Sequence, residues 1–264
     1  MSRDGLRGTG ASGTVPRVTS PPSPSWAPTL GRSVRLLREF RYEQPDPDRF
    51  YSALAEDSVA QLGSWTDLDG RVVLDVGGGP GYFARAFEAA GARYCAVDAA
   101  VGELTGRGSA PGNTLLGSGL ELPFADASVD VAYSSNVLEH VPDPWRMADE
   151  MLRVTRPGGL TFISFTVWLG PWGGHETAPW HYLGGHRARR RYVRRTGHEP
   201  KNRFGESLFP VSVTATRRWA DRQRRGEVLA FAPRYHPSWA RGVVHVPGVR
   251  EIVTWNLMVV LRRR

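Results

Sequence analysis

Short apolar runs alternate with stretches of helical spacing along most of this chain, the pattern of strand and helix in turn. Val72, Val73, Leu74 and Val76 form one such run, mostly β-branched, as in a central parallel strand covered on both faces. Gly77, Gly78, Gly79 and Gly81 follow it, and Phe83, Ala84, Phe87 and Ala90 then recur at helical spacing. A strand, a glycine turn and a helix running from Tyr82 to Ala90 are predicted, with the helix N-terminus aimed at whatever the turn holds. Further strands are predicted at Tyr94–Val97, Asn113–Leu116, Val129–Ser134, Leu160–Thr166, Val228–Phe231 and Trp255–Leu261. Helices are predicted at Ser33–Arg41, from Asp46-Pro47 to Gly63, and at Trp145–Val154, Tyr182–Thr196 and Ser212–Arg225. The motif Arg156-Pro157-Gly158-Gly159 is read as a stop between the third of these helices and the strand behind it. Strand and helix in this rhythm predict an α/β fold with a doubly wound parallel sheet.

Composition divides the chain further. Residues 1–30 are rich in Gly, Ser, Thr and Pro and are read as a disordered tail. Residues 31–66 hold the two N-terminal helices, expected to lie over the cofactor site, and residues 67–264 form the main domain. Within it, residues 167–210 are a long insertion, expected to cap a substrate. No apolar run is long enough to span a bilayer and no secretory leader is visible, so a cytoplasmic location is expected. Cys95 is the only cysteine, which excludes an intrachain disulfide and a cysteine-rich zinc site; it is read as an inert core residue. The net charge of +8 favours anionic partners.

The glycine turn admits two nucleotide-type cofactors. Asp75-x-Gly77-x-Gly79-x-Gly81 is an acidic-plus-three-glycine pattern suited to S-adenosylmethionine, while Gly79-x-Gly81-x-x-Ala84 is a loose dinucleotide fingerprint. The turn alone leaves the choice open. Asp98 ends the second strand, where a carboxylate is placed to hold the two hydroxyls of a ribose.

Four ordered motifs carry a resemblance. Leu74–Gly81, Leu122-Pro123-Phe124, Ser135–Val141 (SNVLEHV) and Arg156–Gly159 occur in the order and spacing of class I S-adenosylmethionine-dependent methyltransferases. The chain is similar to the broad type 11 group that includes quinone-biosynthesis and other small-molecule enzymes. The resemblance covers about Val72–Thr166 and a final strand, and a dehydrogenase would lack the later motifs. It implies a seven-stranded, mostly parallel, Rossmann-like sheet, with N-terminal helices, a helical insertion before the last two strands, and the seventh strand antiparallel beside the fifth. It implies that Asp75, Gly77, Gly78, Gly79 and Gly81 border the methionine half of S-adenosylmethionine and that Asp98 binds its ribose. Ser118, Gly119 and Leu120 would line the adenine, and Asn136 would also touch the cofactor. The family often has an aspartate where Ser118 stands, and serine accepts a hydrogen bond more weakly.

The acceptor is then expected above the C-terminal ends of the first and fourth strands. His140 is the candidate base, since imidazole titrates in the useful range. Tyr51, Trp172, His175, Trp180, His181 and Tyr182 are expected to line the acceptor site, several of them as an aromatic wall. His175, Glu176, His181 and His186 invite a metal reading, but they do not follow a zinc spacing and Pro179 interrupts any helix that would align them; no metal is expected. The arginine-rich helix around Arg187–Arg195 is read as a solvated face or as a surface that recruits an anionic substrate or meets a membrane carrying a lipid-like one. The expected activity is methyl transfer to a small or lipid-like acceptor. Methylation of RNA through the arginine patch, or a non-catalytic module that binds S-adenosylmethionine, are the alternatives, with nucleic acid the weaker partner.

Overall fold

The computed structural model describes residues 26–100, 102 and 113–264. The tail expectation for residues 1–25 lies outside the described residues. Residues 26–30, also assigned to that tail, are already placed. Thr29 caps α1 (Leu30–Phe40) by accepting from the Arg32 N–H, and the Arg32 guanidinium lies 4.7 Å over the Trp26 ring.

α2 (Pro47–Leu62) starts at the expected aspartate-proline cap. A buried ion pair fixes α1 on α2: the Arg32 guanidinium donates to both Asp57 oxygens at 2.7 and 2.6 Å and to the Arg234 carbonyl at 2.9 Å. The sheet is built from β1 (Val72–Val76), β2 (Arg93–Asp98), β3 (Thr114–Leu116), β4 (Val129–Ser135), β5 (Thr155–Thr166), β6 (Gly226–Pro233) and β7 (Asn256–Arg263). Their order is β3-β2-β1-β4-β5-β7-β6, with β7 antiparallel to both neighbours and the other pairs parallel. The strand order reverses between β1 and β4, so a crevice forms beyond their C-terminal ends.

Residue alternation along β1 assigns its two faces. Leu74 and Val76 face a core that includes Met147, Met151 and Leu152 of α4 (Pro144–Val154). Val73 faces the opposite core, with Leu54 and Leu62 of α2 and the rings of Phe87, Tyr94, Tyr133 and Phe162. α3 (Ala84–Ala89) is shorter than the spacing predicts, because residues 81–83 are still spent on the turn. β5 begins at Thr155, so Arg156–Gly159 belongs to the strand rather than standing before it. Gly158 has φ +77°, and a Cβ on Gly159 would stand 2.6 Å from the Asp130 carbonyl oxygen, so the two glycines permit a bulged strand start, the first by its backbone angle and the second for want of room.

The basic helix is also shorter than predicted. Trp180–Leu183 is a separate 3-10 turn, Gly184 breaks the chain direction with φ +102°, and α5 spans Gly185–Thr196. α6 spans Val213–Arg222, capped by Ser212 as expected. Between β6 and β7 the structure adds a 3-10 segment, Ser238–His245, and α7 (Val249–Val253), where no element is predicted. No helix among the described residues is long and apolar enough to cross a membrane.

Candidate functional site

The glycine turn needs its glycines for different reasons. At Gly77, φ is +82° and a Cβ would collide with the Val137 methyls. At Gly78, a Cβ would stand 2.8 Å from Ala96 Cβ and 3.1 Å from the Tyr94 hydroxyl. Gly79 has φ +51° with nothing within 4 Å, so its backbone faces open space. Gly81 completes the turn at φ +81°. Every side chain the turn omits is one that strain or crowding would exclude, or that would cover an exposed peptide.

Asp98 reaches back over this turn from the tip of β2. Its Oδ2 accepts from the Gly79 N–H at 3.1 Å and its Oδ1 from the Ala100 N–H at 3.0 Å. Each oxygen keeps a further lone pair for a ligand hydroxyl. Ser118 is exposed, and its Oγ accepts from the Leu120 N–H at 3.1 Å. Gly119 sits where a Cβ would press on Met147 and Val76 at 3.3 Å. Turn, Asp98 and Ser118–Leu120 thus border the crevice beyond β1 and β2, since the Gly117 N–H donates to the Asp98 carbonyl at 2.9 Å.

Asp75 is buried beneath the turn, accepting from the Tyr94 hydroxyl at 2.8 Å. Burial pushes its carboxyl up to about 7, against the pull of the Tyr94 hydrogen bond. Between about pH 4 and 7 the folded chain therefore keeps a proton that the unfolded chain releases. The stability this group contributes is full below that window and is lost as pH rises through it. In the cofactor-free protein, the melting temperature of Asp75→Asn relative to wild type should climb from about pH 4 to 7 and then level off. Other titrating groups are common to both chains, so a constant difference in thermal scans would contradict the assignment.

Asn136 follows β4 in a left-handed backbone, φ +58°, and its Oδ1 accepts from the Asn256 side chain at 2.7 Å. It stands at the edge of a cavity of about 610 Å³. Leu36, Phe40, Phe50 and Leu54 of the N-terminal helices, with Trp172 and Trp255, give the cavity its apolar wall. Phe40 meets Trp172 edge-on at 5.6 Å, and Trp172 meets Trp255 at 4.7 Å. Its charged lining is mostly acidic, with Glu43, Glu139 and Glu176 against a single lysine, Lys201, and His140 and His175 line it too.

The expected acceptor residues separate here. Tyr51, His140, Trp172 and His175 line the cavity. The Tyr51 hydroxyl donates to Glu43 at 3.3 Å and its ring stacks on Tyr82 at 4.6 Å. Burial holds the Glu43 carboxyl above the usual carboxylate range. Trp180, His181 and Tyr182 are outside the lining. His181 is buried within the insertion, its Nε2 3.1 Å from the Gly170 carbonyl oxygen and its side chain filling the space that a Cβ on Gly174 would need. Trp180 and Tyr182 are exposed, and the Arg191 guanidinium lies 3.7 Å over the Trp180 ring. Successive side chains of a 3-10 turn point about 120° apart, so it anchors through His181 and leaves Trp180 and Tyr182 exposed. α5 also stands apart from the lining, and Arg189 is spent on Glu199 and Glu206 at 2.7 and 2.6 Å.

Several lining residues have no role in the sequence reading. Glu139 appears there only as part of a motif; its Oε1 accepts from the Thr166 N–H at 2.9 Å. Tyr235, Trp255 and Asn256 arrive from the ends of β6 and β7. Behind them Arg234 is fully buried, donating to the hydroxyls of Ser58, Ser135 and Ser164 at 2.6–2.7 Å. An arginine next to a tyrosine at a strand end is too common a pattern to single these out.

Comparisons with known proteins bear on the family and the fold. Residues 74–163 match the methyltransferase domain family. The chain is 55% identical over 244 residues to an uncharacterized methyltransferase of Mycolicibacterium gilvum, covering 89% of this chain and 95% of the relative. A second, of Mycobacterium marinum, is 54% identical, with 89% and 96% covered. The fold is similar to that of an S-adenosylmethionine-dependent methyltransferase from Mesorhizobium loti, with a TM-score of 0.55 at 20% identity, covering 79% of this chain and 98% of that one. With relatives this similar over nearly its whole length, the chain belongs to the methyltransferase family, on the fold of the S-adenosylmethionine-dependent members.

Proposed function

We propose that this enzyme methylates a small or lipid-like acceptor held in the cavity between α1, α2 and the insertion, with S-adenosylmethionine as donor. The observation that carries the reading is an aromatic cavity lined beside the glycine turn: Asn136 of the lining precedes Val137, whose methyls pack against Gly77, and Tyr51 of the lining stacks on Tyr82. The residues fit the donor: the turn leaves open space at Gly79, and Asp98 offers lone pairs beside it. S-adenosylmethionine supplies, when bound, a methyl group activated on a sulfonium.

The chain's own residues do the rest. Asp98 holds the ribose hydroxyls, Ser118–Leu120 border the adenine, and Gly77–Gly81 with Asp75 beneath them border the methionine half. Leu36, Phe40, Trp172 and Trp255 exclude water and orient an apolar acceptor body, which places the reacting atom for in-line attack. The acceptor's proton passes to a side chain of the cavity lining, where Glu43, Glu139, His140, His175 and Glu176 are the candidate bases. The predominantly acidic lining favours an acceptor whose body is apolar rather than anionic.

The test is incubation with methyl-labelled S-adenosylmethionine and fractionated cell extract. Label should appear in a solvent-extractable small molecule. Trp172→Ala should lower product formation at least about tenfold, the loss of one positioning contact, while the calorimetric affinity for S-adenosylhomocysteine stays within about twofold. Label in RNA, or equal loss of cofactor affinity in the variant, would overturn the reading.

A further inference from the structure

We infer that Glu139, His140 and His175 form a binding site for a divalent transition-metal cation on the wall of the cavity. One ligand atom from each lies within 4.8 Å of the other two. Glu139 and His140 sit together on the 3-10 turn Leu138–His140 behind β4, and His175 comes from the insertion. Its backbone has φ +47°, a strained value for histidine, and its ring meets His140 edge-on at 5.1 Å.

The second polar atom of each side chain is already anchored. His140 Nδ1 lies 2.7 Å from the Ser207 carbonyl oxygen, and His175 Nδ1 lies 3.3 Å from that of Gly173. A carbonyl only accepts, so both neutral rings carry their proton on Nδ1 and leave the Nε2 lone pair for a ligand. Glu139 is anchored through Oε1 on the Thr166 N–H. Metal-binding imidazoles and carboxylates are held by outer-shell partners of this kind. The remaining Glu139 oxygen, Oε2, is buried and makes no hydrogen bond, in a side chain only 1% exposed. An anionic oxygen left so is costly, and a bound cation removes that cost.

Two imidazole nitrogens and one carboxylate oxygen suit zinc or a neighbouring first-row divalent ion, whereas magnesium and calcium prefer all-oxygen sites. Three protein ligands leave coordination positions for water or an acceptor oxygen. This grouping differs from the run His175, Glu176, His181 and His186. There Glu176 accepts from Asn202 at 3.0 Å, His181 packs inside the insertion, and His186 meets Phe204 edge-on at 5.0 Å.

The test uses the full chain, stripped with chelator and titrated with Co²⁺ while visible ligand-field absorption is followed, then with Zn²⁺ against a chromophoric chelator. One cobalt per chain and saturable bands are expected. Glu139→Gln keeps an acceptor for Thr166 but loses the anionic ligand, and should weaken binding by more than the 10–100-fold of an outer-shell change. His175→Asn, tolerant of the left-handed backbone, should do the same. Circular dichroism and metal-free melting curves check that both variants fold. No saturable cobalt binding by wild type, or wild-type affinity in both folded variants, would overturn the site. The readout involves neither methyl donor nor acceptor, so its failure is distinguishable from failure of the proposed methyl transfer.

Discussion

Asp98→Ala should lower the affinity for S-adenosylmethionine and for S-adenosylhomocysteine by about 100-fold. The carboxylate accepts two backbone hydrogen bonds, from Gly79 and Ala100, and in the proposed binding mode it also receives the two ribose hydroxyls. Hydrogen bonds to a charged group contribute about 1.5–3 kcal/mol each, and two of them lost correspond to at least that factor. Asp98→Asn should fall between, since it still accepts one hydroxyl but places an N–H donor against another. Titration calorimetry with either compound reads the effect. An alanine variant that binds as tightly as wild type would remove Asp98 from the cofactor site.

Gly173→Ala should abolish most methyl transfer and leave cofactor binding intact. A Cβ there would run into the Trp168 carbonyl group, which is backbone and has no rotamer to yield. The loop must shift, and Gly173 lies between Trp172 and His175, both in the cavity lining. Overpacking of this kind costs about 1–3 kcal/mol, a fall of roughly 2–10 °C in melting temperature for a domain of this size. Turnover should drop at least about 100-fold, because a misplacement of 1 Å is enough for that. The turn and Asp98 are on other elements, so the affinity for S-adenosylhomocysteine should change by less than about twofold. Unchanged turnover would detach the insertion from the acceptor site.

What was legible in the sequence was local. β1, its glycine turn and Asp98 lie close together in the chain, and each is announced by residue type and strand-end position. The antiparallel β7 beside β5 followed from the resemblance and is observed. What was not legible depends on distant partners. Asn256 reaches Asn136, and Arg234 reaches Ser58 and Ser164, across most of the domain. Nothing in the spacing of either residue signals that meeting. His181 failed for the opposite reason. It is only six positions from His175, yet the turn that holds it points it into the insertion rather than the cavity. Sequence proximity outside a regular element says little about a shared face.

The pairing of β6 has its own consequence. Among the described strands β6 is bonded only to β7, and β7 joins the pair to the rest of the sheet through β5. Local opening along the β5–β7 seam would release both strands as one cooperative unit. Arg234, Tyr235, Trp255 and Asn256 would swing away with it. The far wall of the cavity therefore lasts only while the antiparallel seam and the side-chain bonds of Arg234 and Asn256 to Ser58, Ser135, Ser164 and Asn136 hold together, and it opens or holds as a single shutter.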